Sequence, residues 1–273
     1  MKIACYSDLH LEFQHHWKMP SDLKADVLAL AGDIITFADF SPLKTLLRNW
    51  PKPALFVAGN HEYYTRFPMF EHHGQFQAWL EAELPQVRFL RNESVTIDGV
   101  NFFGGTMWTD FMGGDGFHMR YAQNFMSDFQ VICSSRQKKN SPLTPGETTS
   151  MHDEFVDALK TWFEKDLPGP RVLITHHAPM ENVDSEYKGS PLQPAFVAYD
   201  ILPLIEKYQP DVWFYGHTHE CWRHSIGKTK IMSNQLGYPL RFGGYESGTN
   251  FDAYGLGETI SKARKKRRVR SVP

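Results

Sequence analysis

The chain alternates short, wholly apolar runs with stretches of mixed polarity, and each apolar run stops at residues that carry chemistry. Ile3-Ala4-Cys5-Tyr6 ends at Ser7-Asp8-Leu9-His10. Val27-Leu28-Ala29-Leu30-Ala31 ends at Gly32-Asp33, and Ala54-Leu55-Phe56-Val57-Ala58 ends at Gly59-Asn60-His61-Glu62. Continuous apolar runs of this length read as strands buried on both faces. Between the second and third, Ser41-Pro42 supplies a cap and a first-turn proline, and Leu43, Leu46, Leu47 and Trp50 follow at helical spacing. The alternation predicts βαβ units and a largely parallel sheet, whose ligand sites lie at the carboxyl ends of the strands.

Further along, residues 71–84 predict a helix with Phe76, Trp79, Leu80 and Leu84 on one face. Asp98-Gly99, flanked by strand formers from Ser94 to Phe103, predicts a hairpin. From 104 to 149 the periodicity fades into glycine, proline and polar clusters around a short helical piece near Tyr121–Phe129. Such a segment inside a regular fold reads as a cap-like insertion. Asp110, His118 and Arg120 are its candidates to face a site, and each reads equally well as a plain surface residue. Ser150-Met151-His152-Asp153 resembles a capping arrangement, with His152 as a first-turn surface residue before an amphipathic helix bearing Phe155, Leu159, Trp162 and Phe163. Val172-Leu173-Ile174-Thr175 is a strand ending at His176-His177. A helix follows over 196–208, then a strand Asp211–Tyr215 ending at Gly216-His217-Thr218-His219, and a last core strand over 231–233. No internal repeat or linker divides the chain, which reads as one domain over 1–245 and a peripheral tail over 246–273.

Composition sharpens this picture in three ways. The hydrophobic content of 41% suits a buried core, and no apolar run is long enough for a membrane helix. Three widely spaced cysteines without a Cys-x-x-Cys argue against a thiolate zinc site and fit a reducing, cytoplasmic setting. The formal charge of −2 hides an acidic body and a tail in which Lys262 to Arg270 carry seven basic residues and no acid. That tail reads either as a solvated terminus or as an electrostatic hold on nucleic acid or another anionic surface. Of the 13 histidines, the pairs His15-His16 and His72-His73 read as exposed loop or helix-end residues.

Six of the other histidines, His10, His61, His176, His177, His217 and His219, cluster at strand ends with carboxylates and an amide. Asp8 and His10, two apart, project to one side if the strand conformation persists; alone, the pair reads as a metal site or as a turn aspartate beside an exposed histidine. Five strand ends of this kind are far more specific than one. Oxygen and imidazole donors without thiolate suit Mn, Fe or Zn. Asp8, His10, Asp33, Asn60, His176, His217 and His219 are too many for one ion, and two ions sharing a bridging carboxylate, most economically Asp33, would use them.

In order and wording these motifs resemble the calcineurin-like metallophosphoesterase family: D-x-H at Asp8 and His10, G-D at Asp33, G-N-H-E at Gly59 to Glu62, a histidine at His176, and G-H-x-H at Gly216 to His219. The resemblance implies a four-layer αββα sandwich, an α/β fold of two mainly mixed β-sheets flanked by helices; the second sheet follows from the resemblance alone. It also implies a dinuclear phosphoesterase acting on a phosphomonoester or phosphodiester through attack by a metal-activated water. One metal would be held by Asp8, His10, Asp33 and His219, the other by Asp33, Asn60, His176 and His217, with family precedent favouring His176 over His177. His61 is expected to contact the phosphate and protonate the leaving group, and Glu62 to orient that imidazole. Small molecules or nucleotides are the expected substrates. A nuclease using the basic tail and a non-catalytic metal-bearing scaffold are the alternatives.

Overall fold

Side chains divide between the two faces of every buried strand, and that division builds the layers. The computed structural model describes residues 1–13, 17–65, 67–135, 141–239, 250–255 and 257–260. His15, His16 and the basic run from Lys262 lie outside the described residues. Strands β1 (Lys2–Tyr6), β2 (Val27–Ala31), β3 (Ala54–Val57) and β4 (Val87–Phe89) are parallel neighbours in that order. The second sheet runs β5 (Glu93–Ile97), β6 (Val100–Gly105), β7 (Arg171–Thr175), β8 (Val212–Tyr215), β10 (Thr229–Ser233), β9 (Arg223–Ile226). Its four inner strands are parallel and its two outer ones antiparallel. A two-residue strand, β11 (Glu258–Thr259), pairs antiparallel with β1, so both sheets are mixed, as the resemblance implied.

Ile3 and Cys5 of β1, Val27, Ala29 and Ala31 of β2, and Leu55 and Val57 of β3 face Val100, Phe102, Val172, Ile174, Val212 and Phe214 across the gap between the sheets. The alternate residues, among them Ala4, Leu28, Phe56, Phe103, Leu173 and Trp213, face outward to the helices. Each such fully buried aliphatic or aromatic side chain contributes about 1.5–3 kcal/mol relative to exposure. Helices α1 (Ser41–Leu47) and α2 (Glu71–Glu83) cover the first sheet, Phe76 lying 5.1 Å from the Phe56 ring. After the insertion's short α3 (Phe111–Gly114), α4 (Gly116–Phe125) and α5 (Asp128–Val131), helix α6 (Pro145–Phe163) covers the second sheet through Phe155 and Trp162, each 5.5 Å from Phe103. The segment expected as one helix over 196–208 is two, α7 (Gln193–Phe196) and α8 (Leu202–Tyr208).

Four local expectations are corrected. Helix α6 begins at Pro145: Thr144 and Glu147 form a reciprocal capping box, so Ser150 to Asp153 are interior and His152 is fully buried. His72 and His73 lie at a helix end as expected, in the first turn of α2, but His72 is buried and bonded to Thr65, and His73 is half-buried against the Tyr63 phenol. The helical piece expected near Tyr121–Phe129 is present but is two helices, α4 and α5, broken at Met126 and Ser127. Residues 258–259, expected to be peripheral, close the edge of the first sheet.

Candidate metal centre

The loops after β1, β2, β3, β7 and β8 meet at one end of the sandwich, and their backbones are unusual. Asp8, His10, Asp33, His217 and His219 all have φ between 44° and 71°, a left-handed region that non-glycine residues seldom occupy. Such conformations cost of order 1–3 kcal/mol each and persist where surrounding bonds over-determine them. Here Asp8 and His10 donate their N–H groups to the carbonyls of Gly32 and Asp33 at 3.0 and 2.9 Å, and the His217 N–H donates to Asp8 at 3.0 Å. Asp8 and His10 therefore share a side through paired turns, not through the strand alternation expected of them. The glycines serve closeness. A Cβ on Gly32, itself at φ 86°, would run into the His176 ring, and one on Gly59 into Asp33 Oδ1.

Two donor groups result. His10 Nε2 lies 3.4 Å from His219 Nε2 and 3.9 Å from Asp33 Oδ2, and His219 Nε2 lies 3.5 Å from Asp8 Oδ1. On the other side, His176 Nε2 lies 3.0 Å from Asn60 Oδ1, 3.2 Å from His217 Nδ1 and 3.4 Å from Asp33 Oδ1. The seven expected ligands come together, and the two oxygens of Asp33 face different groups. His177 stays behind them, its Nδ1 3.2 Å from the Thr106 carbonyl and its ring against Trp108.

The donor chemistry fits cations. His176 Nδ1 donates to the Ala31 carbonyl at 3.0 Å, which leaves Nε2 to point at an amide oxygen, a carboxylate and another imidazole. The other ring nitrogens, His217 Nε2 and His219 Nδ1, are buried without a hydrogen-bond partner among the described residues. Burial, with His177 and His176 nearby, holds His217 well below the usual imidazole range; burial, with His10 nearby, lowers His219 to about 3. Both are the neutral imidazoles a metal requires. Burial alone would raise Asp33, but His176 and His61 outweigh it and hold the carboxylate well below its usual range.

His61 is set beside the donors as a separate device. Its Nδ1 lies 3.0 Å from Glu12 Oε1 and its Nε2 2.6 Å from the Tyr238 hydroxyl, and Tyr64 stacks on it at 4.2 Å. Burial opposes a charge there, yet Asp33 and Glu12 outweigh it and raise His61 to about 9. Glu12 Oε1 also lies 3.2 Å from His10 Nδ1. The expected contact between Glu62 and His61 is replaced by this one. The Glu62 carboxylate instead accepts the backbone N–H groups of Asp33, Ile34, Ile35 and Gly59 at 2.6–3.2 Å, tying the β2 and β3 loops together.

A cleft of about 140 Å³ opens onto Asp33, Asn60, His217 and His219, walled by Tyr64, Phe125, Tyr187, Phe196 and Tyr238, with no lysine or arginine among its described lining residues. A roomier cavity of about 570 Å³, between Trp17 and Trp50, holds none of the motif residues. The insertion reaches the cleft through Phe125 to Asp128, not through the expected residues. Asp110 accepts the N–H groups of Gly113 and Tyr199, His118 pairs with Asp115 on α4, and Arg120 is exposed. Of the site residues sequence reasoning missed, Glu12 continues the Asp8-x-His10 spacing and was findable; Tyr64, Asp128 and Tyr238 carry no sequence signal.

The sequence profile of the calcineurin-like phosphoesterases matches residues 1–221, which takes in every motif above. The chain belongs to the calcineurin-like phosphoesterase family. The family is one of metal-dependent phosphoesterases, and the donor groups suit that dependence. An uncharacterised protein of Acanthamoeba polyphaga mimivirus is 28% identical over 265 residues, covering 87% of this chain and 92% of its own. A UPF0046 protein of Caenorhabditis elegans is 28% identical over 235 residues; the match covers 81% of this chain and 64% of the worm protein's length. Among solved structures, the phosphopantetheinyl hydrolase of Mycobacterium tuberculosis is similar at a TM-score of 0.66 and 17% identity, covering 87% of this chain and 89% of that one, a likeness of fold. No helix among the described residues is long and apolar enough to cross a membrane.

Proposed function

We propose that this calcineurin-like phosphoesterase is a dinuclear enzyme that hydrolyses a phosphomonoester or phosphodiester of a small molecule or nucleotide. The observation that carries the reading is Asp33, whose Oδ2 faces His10 and whose Oδ1 faces His176. Asp8, His10 and His219 would hold one divalent ion, and Asn60, His176 and His217 the other, with Asp33 shared. The oxygen and imidazole donors suit Mn, Fe or Zn. Bound there, such ions supply positive charge to the phosphoryl oxygens and acidify a water.

The chain's own residues do the rest. Glu12 accepts the proton on His61 Nδ1, which leaves Nε2 facing Tyr238 at the wall of the cleft. Nε2 donates its proton to the leaving oxygen, a role in which general acids contribute about 10² to 10⁴-fold. Tyr238 yields that position as substrate enters. The aromatic walls receive the apolar or planar part of the ester, and Phe125 to Asp128 of the insertion close one side of the cleft. With no cationic side chain among the described lining residues, nothing in the cleft favours a track for nucleic acid. His61 has no use in a non-catalytic scaffold. Free Cys5, Cys133 and Cys221 suit a cytoplasmic setting.

The test is turnover of a panel of mono- and diesters after chelation and reloading with Mn, Fe or Zn. His61→Ala should keep its metal and lose about 10² to 10⁴-fold in kcat, whereas Asn60→Ala should lose one ion. A wild-type protein that holds two ions and turns over no ester would overturn the enzyme reading.

A further inference from the structure

We propose that Asp128 is a positioning residue for the metal-facing amide of Asn60, so that the 104–149 insertion forms part of the centre as well as its cover. The inference rests on the dinuclear reading above. Asp128 opens α5 and is 3% exposed. Its Oδ1 accepts the Asn60 side-chain N–H at 2.8 Å and the Tyr64 hydroxyl at 2.6 Å.

An amide side chain has two chemically different ends, and only the oxygen can serve as a metal ligand. A carboxylate only accepts, so it selects the NH₂ end. With that end taken by Asp128, Asn60 Oδ1 is directed to the opposite side, 3.0 Å from His176 Nε2. Without an acceptor at that place, the two amide orientations become closer in energy, and one of them presents N–H groups to the cation. The same carboxylate oxygen acts a second time. The Tyr64 phenol it receives belongs to the ring that stacks on His61 at 4.2 Å and 21°. Asn60 and His61, neighbours with different tasks, are thus both referenced to one atom of the insertion.

Outer partners of metal ligands typically change affinity by about 10- to 100-fold when removed. The experiment titrates the chelated full-length protein with Mn²⁺ by calorimetry, with metal content measured after desalting and thermal unfolding recorded separately. Wild type should bind two ions. Asp128→Ala should bind one as wild type does and the other about 10- to 100-fold more weakly. Asp128→Asn keeps an acceptor oxygen and should stay within about threefold of wild type, whereas Asp128→Leu, which fills the space without an acceptor, should be as weak as Asp128→Ala; a Leu variant at wild-type affinity would reduce the role to space-filling. Should Asp128→Ala fail to fold, Asp128→Ser, too short to reach the amide yet able to hold water, carries the same expectation. Two ions bound at wild-type affinity in the Ala or Ser variant would overturn the inference, as would an Asn variant as weak as the Ala variant. A wild type that binds fewer than two ions would bring down the dinuclear reading, and this inference with it.

Discussion

Glu12 Oε1 lies 3.0 Å from His61 Nδ1, and the same oxygen lies 3.2 Å from Nδ1 of His10. One carboxylate therefore holds both imidazoles, the one proposed to bind metal and the one proposed to serve the leaving group. Glu12→Gln keeps the length and removes the charge, and kcat should fall about 10- to 100-fold. The loss should be largest for esters with poor leaving groups, because only those need the proton from His61. Rates measured across a series of aryl and alkyl esters check this; an equal loss for all of them would assign the effect to His10 instead.

Glu62 is expected to act on stability. Four backbone N–H groups converge on its buried carboxylate, and removing it leaves those donors facing a cavity. Buried donors without partners cost about 1–3 kcal/mol each, partly relieved by water, so Glu62→Ala should lose at least about 3 kcal/mol. Urea unfolding would show this as a lower midpoint at unchanged slope. A loss below about 1 kcal/mol would sink the assignment.

The buried His152 predicts a pH dependence. Its Nε2 lies 2.9 Å from Asp200 Oδ1 and its Nδ1 3.3 Å from the Met107 carbonyl, so both nitrogens can donate when the ring is charged. Burial opposes that charge, but Asp200 outweighs it and raises His152, while the same pair holds Asp200 low. A raised imidazole stabilises the fold fully below its unfolded value of about 6.5 and loses that contribution as pH rises through the folded value. A depressed carboxylate contributes above its unfolded value near 4 and loses the contribution as pH falls. The pair should therefore contribute most between about pH 4.5 and 6.5. Asp200 is partly in solvent, so the effect is a few tenths to about 1 kcal/mol. The stability difference between wild type and Asp200→Asn, followed from pH 5 to 9, should shrink as pH rises; a constant difference would contradict the pairing.

What could be read in advance follows from how local each signal is. Asp8, His10, Asp33, Asn60, His176, His217 and His219 each sit just past an apolar run, so a linear reading finds them, and parallel strand order brings their loops together. The glycines at 32 and 59 mark the same loops; Gly59 meets a need for space beside Asp33 and His176, and Gly32 meets that need together with a left-handed turn. The role expected of Glu62 came from the family resemblance, and here its carboxylate instead turns back to the β2 loop. Asp128 and Tyr238 are 68 and 177 residues away from the side chains they bond, and nothing in their neighbourhoods announces it. Helix α6 begins earlier than expected because Pro145-Gly146 resembles a loop, yet behind Thr144 the proline occupies a first-turn position where it lacks no needed donor.

The short strand β11 has a consequence for handling the protein. Without it, β1 would be the open edge of a parallel sheet, offering unpaired N–H and C=O groups to any other chain. Lys2 and Ile3 pair with Thr259 and Glu258, and the amino terminus donates to the Ile260 carbonyl. Shortening the chain to remove its basic end is therefore safe for assembly only when the cut falls after residue 260. A cut a few residues earlier should yield a protein that self-associates through the strand leading into Asp8.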